Sequence, residues 1–371
     1  MASGAATIIA IPVKNEEARI GRCLTALSRQ TEAFDQAVLM LNNCTDGTLK
    51  ICQEFSKRFG RITIFQQALY GNLASAGEAR RLALEYALEM AGNGIILTTD
   101  ADAVPGESWV ADNLHALAQG ADAVCGRAML DPADAPRIPE ALHIDAHNEA
   151  RLLAIQDEIA AIIDPVSCDP WPRHQDHSGA SIAVRAATLR RAGGAPHVST
   201  AEDRALIERL LLVDAKVRHA EIVVRVSGRL DGRAHGGMAD TIKRRLQRPD
   251  VFTDERLEPT VDAYRRVLTK ARLRQVLFGC GDADSLAEDI LLGSEVMHEL
   301  LRAEYFGVAW AEVQRLSPVL RRRPVRFIDL HREIRQALTL CDRLREEAEV
   351  SWLDPRTDHN VRDIATDENA G

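Results

Sequence analysis

The 371-residue sequence has no Cys-x-x-Cys pair, no basic excess and no apolar run of membrane length. Its seven cysteines, at positions 23, 44, 52, 125, 168, 280 and 341, are an odd number and widely scattered. That pattern fits reduced thiols in a cytoplasm better than a disulfide frame or a zinc site. A formal net charge of -9 argues against a nucleic-acid coat, which needs a basic face. No apolar stretch reaches the roughly 18–20 residues of a membrane helix, although peripheral membrane contact stays open. The N-terminus lacks the basic-then-apolar design of a signal peptide. There is no Gly-x-Gly-x-x-Gly after the first strand, no Gly-Lys-Ser/Thr phosphate loop and no Gly-x-Ser-x-Gly elbow, which excludes three common enzyme signatures. Internal repeats are also absent.

What is present is an ordinary globular composition, 46% hydrophobic and 27% charged, in a chain long enough for two domains. Short apolar runs at 6–12, 37–41, 62–65, 95–99 and 123–126 alternate with helical patterns at 16–27, 48–59, 74–90 and 108–119. Asn15 is placed to cap the first of these helices. Strand and helix in alternation predict an α/β fold, with a mainly parallel sheet covered by helices on both faces. After Asp131 the rhythm changes. A long helix is expected over 139–163, then a strand at 181–185, helices at 186–192 and 202–213, and a strand-rich stretch at 216–226. From about residue 240 only helical patterns follow, including 261–278, 286–301 and 327–349. The predicted organisation is an α/β domain over 1–240 with an insertion at 131–177, an all-helical accessory region over 241–354, and a disordered polar tail at 355–371.

The chain is organised around residues 94–102, Gly-Ile-Ile-Leu-Thr-Thr-Asp-Ala-Asp. A β-branched apolar strand there gives way to a loop at Asp100 and Asp102. Ligands of open α/β sheets bind at the carboxyl ends of strands. Two carboxylates one residue apart repel unless a cation or cationic partner lies between them. A hard divalent ion carrying a diphosphate suits the position, because such ions take carboxylate and phosphate oxygens together. The competing account is a turn residue followed by a helix cap. Three more segments reach the same rim: Pro12-Val-Lys-Asn-Glu-Glu17, Leu41-Asn-Asn-Cys-Thr-Asp-Gly-Thr48 and Ala76-Gly-Glu-Ala-Arg80.

In order and spacing, these four segments resemble the nucleotide-sugar half of a GT-A glycosyltransferase, most similar to family 2, over roughly residues 6–240. The resemblance implies a nucleoside-diphosphate-sugar donor framed by Pro12, Lys14, Glu16, Asn42, Asp46, Gly77, Arg80, Thr99, Asp100 and Ala101. Asn42 stands where the family has an acid for the base, and its donor and acceptor still suit a uracil edge. Arg80 would reach base or phosphates as a fixed fork. Asp102, with Asp100, would hold Mn²⁺ or Mg²⁺, and His235 would be a third ligand. Glu202 and Asp203 resemble the family's acidic pair at a helix start, with Asp203 as general base. Ser199-x-x-Glu202 and Thr200-x-x-Asp203 fit a capping box equally well. His177, Ser178 and Gly179 resemble the small-residue loop flooring the acceptor site, where glycine lets a sugar approach the backbone. Arg229 and Arg233 would face the diphosphate or be solvated.

The Gln-x-x-Arg-Trp signature of processive members is absent, which implies transfer of one sugar at a time. His143 and His147 lack the glutamate of a zinc-protease motif, so they read as acceptor-side or surface residues. The expected activity is an inverting, metal-dependent, hexosyltransferase-type enzyme of the cytoplasm. Its acceptor is an unspecified carbohydrate, lipid or small molecule; nucleic acid is not an expected partner. Two alternatives remain at this point. One is a nucleotidyltransferase, which should carry a glycine-rich, basic first loop. The other is a non-catalytic nucleotide-binding scaffold.

Overall fold

The computed structural model describes residues 5–229, 238–248 and 250–353. The expected tail at 355–371 lies outside them. Eight strands form one sheet: β1 (Thr7–Val13), β2 (Gln36–Asn42), β3 (Ile62–Gln67), β4 (Ile95–Thr98), β5 (Val104–Pro105), β6 (Ala123–Leu130), β7 (Ile182–Arg185) and β8 (Val217–Val226). Their order is β3-β2-β1-β4-β7-β6-β8-β5. The first four are parallel, β7 runs antiparallel between β4 and β6, and β8 is parallel to β6. The fold is the expected α/β type with helices on both faces.

Side chains of a strand alternate between faces, and the sheet uses both. Ile9, Ile11, Leu39, Leu41 and Leu97 face one layer, containing α1 (Ile20–Ser28), α2 (Thr48–Phe59) and α4 (Trp109–Ala118). Ile8, Ala10, Val38, Met40 and Ile96 face the other. That second layer contains α3 (Ala76–Ala91), with α6 (Ala186–Arg191) and α7 (Glu202–Leu212). The helix α5 (Glu140–Ile163) is different. Its Leu152, Ile155 and Ile159 share a core with Leu257, Val325 and α13 (Leu330–Leu353). The remaining helices are α8 (Met238–Gln247), α9 (Thr260–Leu277), α10 (Ala283–Asp289), α11 (Ser294–Leu300) and α12 (Phe306–Leu316). No helix among the described residues is long and apolar enough to cross a membrane. All seven cysteines are free thiols.

Three local expectations need correction. The first helix begins at Ile20, and Asn15 does not cap it. Asn15 takes φ 51° and accepts a hydrogen bond from Thr45 N at 2.8 Å, which ties the loops after β1 and β2 together. The single helix expected at 286–301 is α10 and α11, broken at Leu291 (φ 56°). Both pieces bury one face in the same cluster, through Leu286, Ile290 and Met297, so the apolar period runs on across the break. Val104–Pro105, part of the loop expected after Asp102, is a two-residue edge strand on β8, a position that tolerates proline.

Gly94 fixes how closely β4 is entered from the N-terminal strand. A Cβ there would lie 1.9 Å from the Ala6 carbonyl oxygen. Gly94→Ala is therefore expected to destabilise the protein by about 1–3 kcal/mol, the cost of forcing backbone apart. A lowered urea midpoint with unchanged slope would register it.

Candidate active site

The parallel strands β1, β2 and β4 end on one rim, as adjacent parallel strands must. The β4 chain continues through Thr99 to Asp100, Ala101 and Asp102. Thr99 and Ala101 are buried and the two aspartates only partly so. Arg80, one turn into α3, crosses beneath this rim. It is 5% exposed, and every arm of its guanidinium is engaged. Nη2 donates to Asp100 Oδ1 at 2.5 Å, and Nη1 to Thr98 Oγ1 at 2.8 Å and to the Gly179 carbonyl at 2.9 Å. Nε donates to Glu202 Oε1 at 3.0 Å. Burial opposes the Arg80 charge, but Asp100 and Glu202 outweigh it and hold the group protonated beyond its ordinary range. One side chain thus joins the end of β4 to the start of α7.

A second arginine serves the other aspartate. Arg229, after β8, pairs with Glu16 at 2.5 Å and with Asp102 at 3.2 Å. Glu16 is itself buried, with its backbone N–H on Thr48 Oγ1 at 2.8 Å. Asp102 remains under-compensated. Burial, then Asp100, pushes its carboxyl up to about 6 against the pull of Arg229. Across the cluster, five carboxylates (Glu16, Asp100, Asp102, Glu202 and Asp203) face the guanidinium groups of Arg80 and Arg229, with Arg19 acting on Asp102 more weakly. The surplus negative charge and the hard oxygen donors fit a divalent cation.

At α7 the capping reading fails. The residue before the helix is Ala201, in the left-handed region at φ 53°, and no side chain caps the helix. Ser199 and Thr200 are therefore not its caps. Glu202 is turned onto Arg80. Asp203 accepts from Gly179 N at 3.1 Å and from Arg204 N at 2.8 Å. Burial raises the Asp203 carboxyl, with Arg80 opposing. Asp203 bonds the Gly179 amide, and Asp100 bonds the arginine that holds the Gly179 carbonyl, so Gly179 and Arg80 link the two acids.

Residues 8–169 match the profile of the family described as "Glycosyl transferase family 2". Over that stretch, somewhat under half of its length, the chain is similar to the family 2 glycosyltransferases. Among curated proteins no significant match is found. Distant likenesses occur among solved structures. Residues 1–349 of TarS from S. aureus, in complex with UDP-GlcNAc, are 15% identical, with 94% of this chain and 91% of that one covered and a TM-score of 0.47. The mannosyltransferase PcManGT from Pyrobaculum calidifontis, in complex with GDP-Man and Mn²⁺, is 18% identical over 94% and 87%, with a TM-score of 0.43. Glucosyl-3-phosphoglycerate synthase from Mycobacterium tuberculosis is 15% identical over 71% and 80%, with a TM-score of 0.40.

The other residues selected from the sequence divide. Asn42 ends β2 and is 2% exposed; its Nδ2, like Thr99 Oγ1, is buried without a hydrogen-bond partner among the described residues. Pro12 lies within β1 and Lys14 just beyond it, partly exposed. Asp46 is taken up by its own turn: burial opposes its charge, but hydrogen bonds from the Thr48 hydroxyl and the Thr48 and Glu17 amides lower its pKa. Gly77 is required by close packing, since a Cβ would sit 2.1 Å from the Val198 carbonyl. Gly179 is also a packing glycine, but what fills its space is Arg80, whose Cζ would be 2.5 Å from a Cβ, rather than a sugar. Ser178 Oγ accepts from Ala180 N at 3.3 Å, shaping the same loop. His177 lies against His219, with Nε2 atoms 3.1 Å apart. His143 and His147 lie on α5, and His143 bonds the Ala135 carbonyl. His235 and Arg233 lie outside the described residues. Sequence reasoning missed His219 and Asp169, which are far apart in the chain and carry no motif.

Proposed function

We propose that the protein is a metal-dependent glycosyltransferase that moves one sugar from a nucleoside-diphosphate sugar to an acceptor hydroxyl, with inversion and without processivity. The observation that carries this reading is the Arg80 bridge, which gathers donor-rim and α7 carboxylates into one cluster. Asp102 and Asp100 would hold the cation, Mn²⁺ or Mg²⁺; when bound, it neutralises charge on the departing diphosphate. Asn42 and Thr99 would serve the nucleoside side of the site; Asn42 Nδ2 and Thr99 Oγ1 are buried without a hydrogen-bond partner among the described residues. Asp203 takes the proton of the acceptor hydroxyl as that oxygen bonds to the anomeric carbon and the bond to the diphosphate oxygen breaks. Gly179 N and Arg204 N hold the Asp203 carboxylate in place for this. The helices from residue 241 onward form an accessory domain, on which the 131–177 insertion leans through α5. Free thiols suit a reducing, cytoplasmic compartment.

A thermal-shift screen of UDP-, GDP- and dTDP-sugars tests the reading. One donor is expected to stabilise the full chain by about 2.7 kcal/mol at a hundredfold excess over its Kd, and only with Mn²⁺ or Mg²⁺ present. No shift with any donor, or a shift indifferent to the cation, would overturn the proposal.

A further inference from the structure

A cluster separate from the aspartate rim lies on the far strands of the sheet. Cys125 of β6 and His219 of β8 are direct partners in the parallel ladder, so their side chains leave the same face at neighbouring positions. His177, from the loop before β7, closes the third side. One ligand atom from each lies within 4.8 Å of the others. The Nε2 atoms of His177 and His219 are 3.1 Å apart. Two imidazoles sharing an ion at about 2.0–2.1 Å stand roughly 3.2–3.4 Å apart in a tetrahedron, so this spacing needs little adjustment.

The surroundings prepare the ligands. Asp169 accepts from His219 N at 2.7 Å, and its other oxygen meets His219 Nδ1 at 2.9 Å. That contact places the ring proton on Nδ1 and leaves the Nε2 lone pair facing Cys125 and His177. A carboxylate behind a ligating histidine is the usual outer partner of zinc. Asp169 is itself fixed, 3.6 Å from the Arg173 guanidinium. His174 is spent elsewhere, on the Ala220 carbonyl at 2.9 Å. Cys125 is fully buried, whereas both histidines are partly exposed, so the site has an inner and an outer end.

We propose that Cys125, His177 and His219 form a three-ligand zinc site with an open fourth position, oriented by Asp169. A soft thiolate with two imidazoles selects zinc over magnesium or calcium. The ion would pin the 164–181 loop to β6 and β8. Two residues further on, that loop supplies the Gly179 N–H held by Asp203 and the Gly179 carbonyl held by Arg80. Cysteine spacing along the chain gave no hint of this, because the ligands come from three separated segments.

Cobalt reports the site independently of sugar transfer. Full-length protein stripped with EDTA and titrated with Co²⁺ is expected to develop a thiolate-to-cobalt charge-transfer band that saturates at one ion per chain and is bleached by zinc. The band should survive Asp102→Asn, vanish in Cys125→Ser, and need about 10–100-fold more cobalt in Asp169→Asn. If Cys125→Ser does not fold, the wild-type and Asp102→Asn spectra decide alone. Absence of the band from wild-type protein, or its loss in Asp102→Asn, would overturn the proposal.

Discussion

Asp102→Asn is expected to give a folded protein that transfers sugar at least about 10²–10³-fold more slowly, the scale lost with one preorganised electrostatic group. Stability should move the other way. The folded-state carboxyl of Asp102 sits at about 6, above its ordinary 3.8. A raised value means that the native state holds this proton more tightly than the unfolded chain. The resulting stability is complete below about 3.8 and is lost as pH rises through about 6. By pH 7 the ionised side chain therefore costs at most about 3 kcal/mol relative to the neutral acid. Asparagine is neutral at every pH, so the variant should melt at or above the wild-type temperature at pH 7.5, with the advantage gone at pH 4. Mn²⁺ should raise the wild-type Tm at pH 7.5 and leave the variant's unchanged. Asp203→Asn should separate from this, with a kcat loss of about 10²–10⁴ but an intact, cation-dependent donor shift. A variant at Asp102 that keeps its activity would remove the metal from the proposed chemistry.

The parts of the fold legible in the sequence are those written in short-range pattern. β1, β2, β3 and α2 fall within two residues of their expected bounds, because apolar runs and turn residues such as Asn43 and Gly60 punctuate them. The reversal of β7 is written nowhere locally; it is set by the pairing of Ile96 with Val184 across almost ninety residues. The α7 start shows how pattern misleads. Ser199 and Thr200 have capping-box spacing, yet Ala201 in the left-handed region ends that possibility. The two acids are then left for Arg80 and Gly179. At the site, the identity of the acids was readable and their neutralisation was not. Asp100 and Asp102 were expected to need a cation or a cationic partner, with no sign of which one. Each has its own arginine, one from α3 and one from after β8. Arg229 was read as equally open to solvation, because nothing within a few residues of it signals Glu16, more than two hundred positions away.

Arg80 is where the largest loss of stability is expected. Its side chain is 6% exposed and satisfies Asp100, Thr98, Gly179 and Glu202 together. Arg80→Ala removes the cation but leaves those acceptors, two of them charged. Breaking a buried ion pair from one side costs about 3–5 kcal/mol, so the variant should lose several kcal/mol in urea unfolding and have no measurable transfer. Arg80→Lys keeps the charge but replaces a planar fork with a point donor. It should recover part of the stability and little of the activity, since one ammonium cannot span Asp100 and Glu202. Gly179→Ala isolates position from charge. A Cβ 2.5 Å from the Arg80 Cζ must displace the guanidinium while removing none of its partners. If the arginine acts by fixing Asp100 and Glu202 relative to each other, Gly179→Ala should resemble Arg80→Lys more closely than wild type. Wild-type kcat in Gly179→Ala, with the added methyl absorbed elsewhere, would show that the bridge serves folding alone.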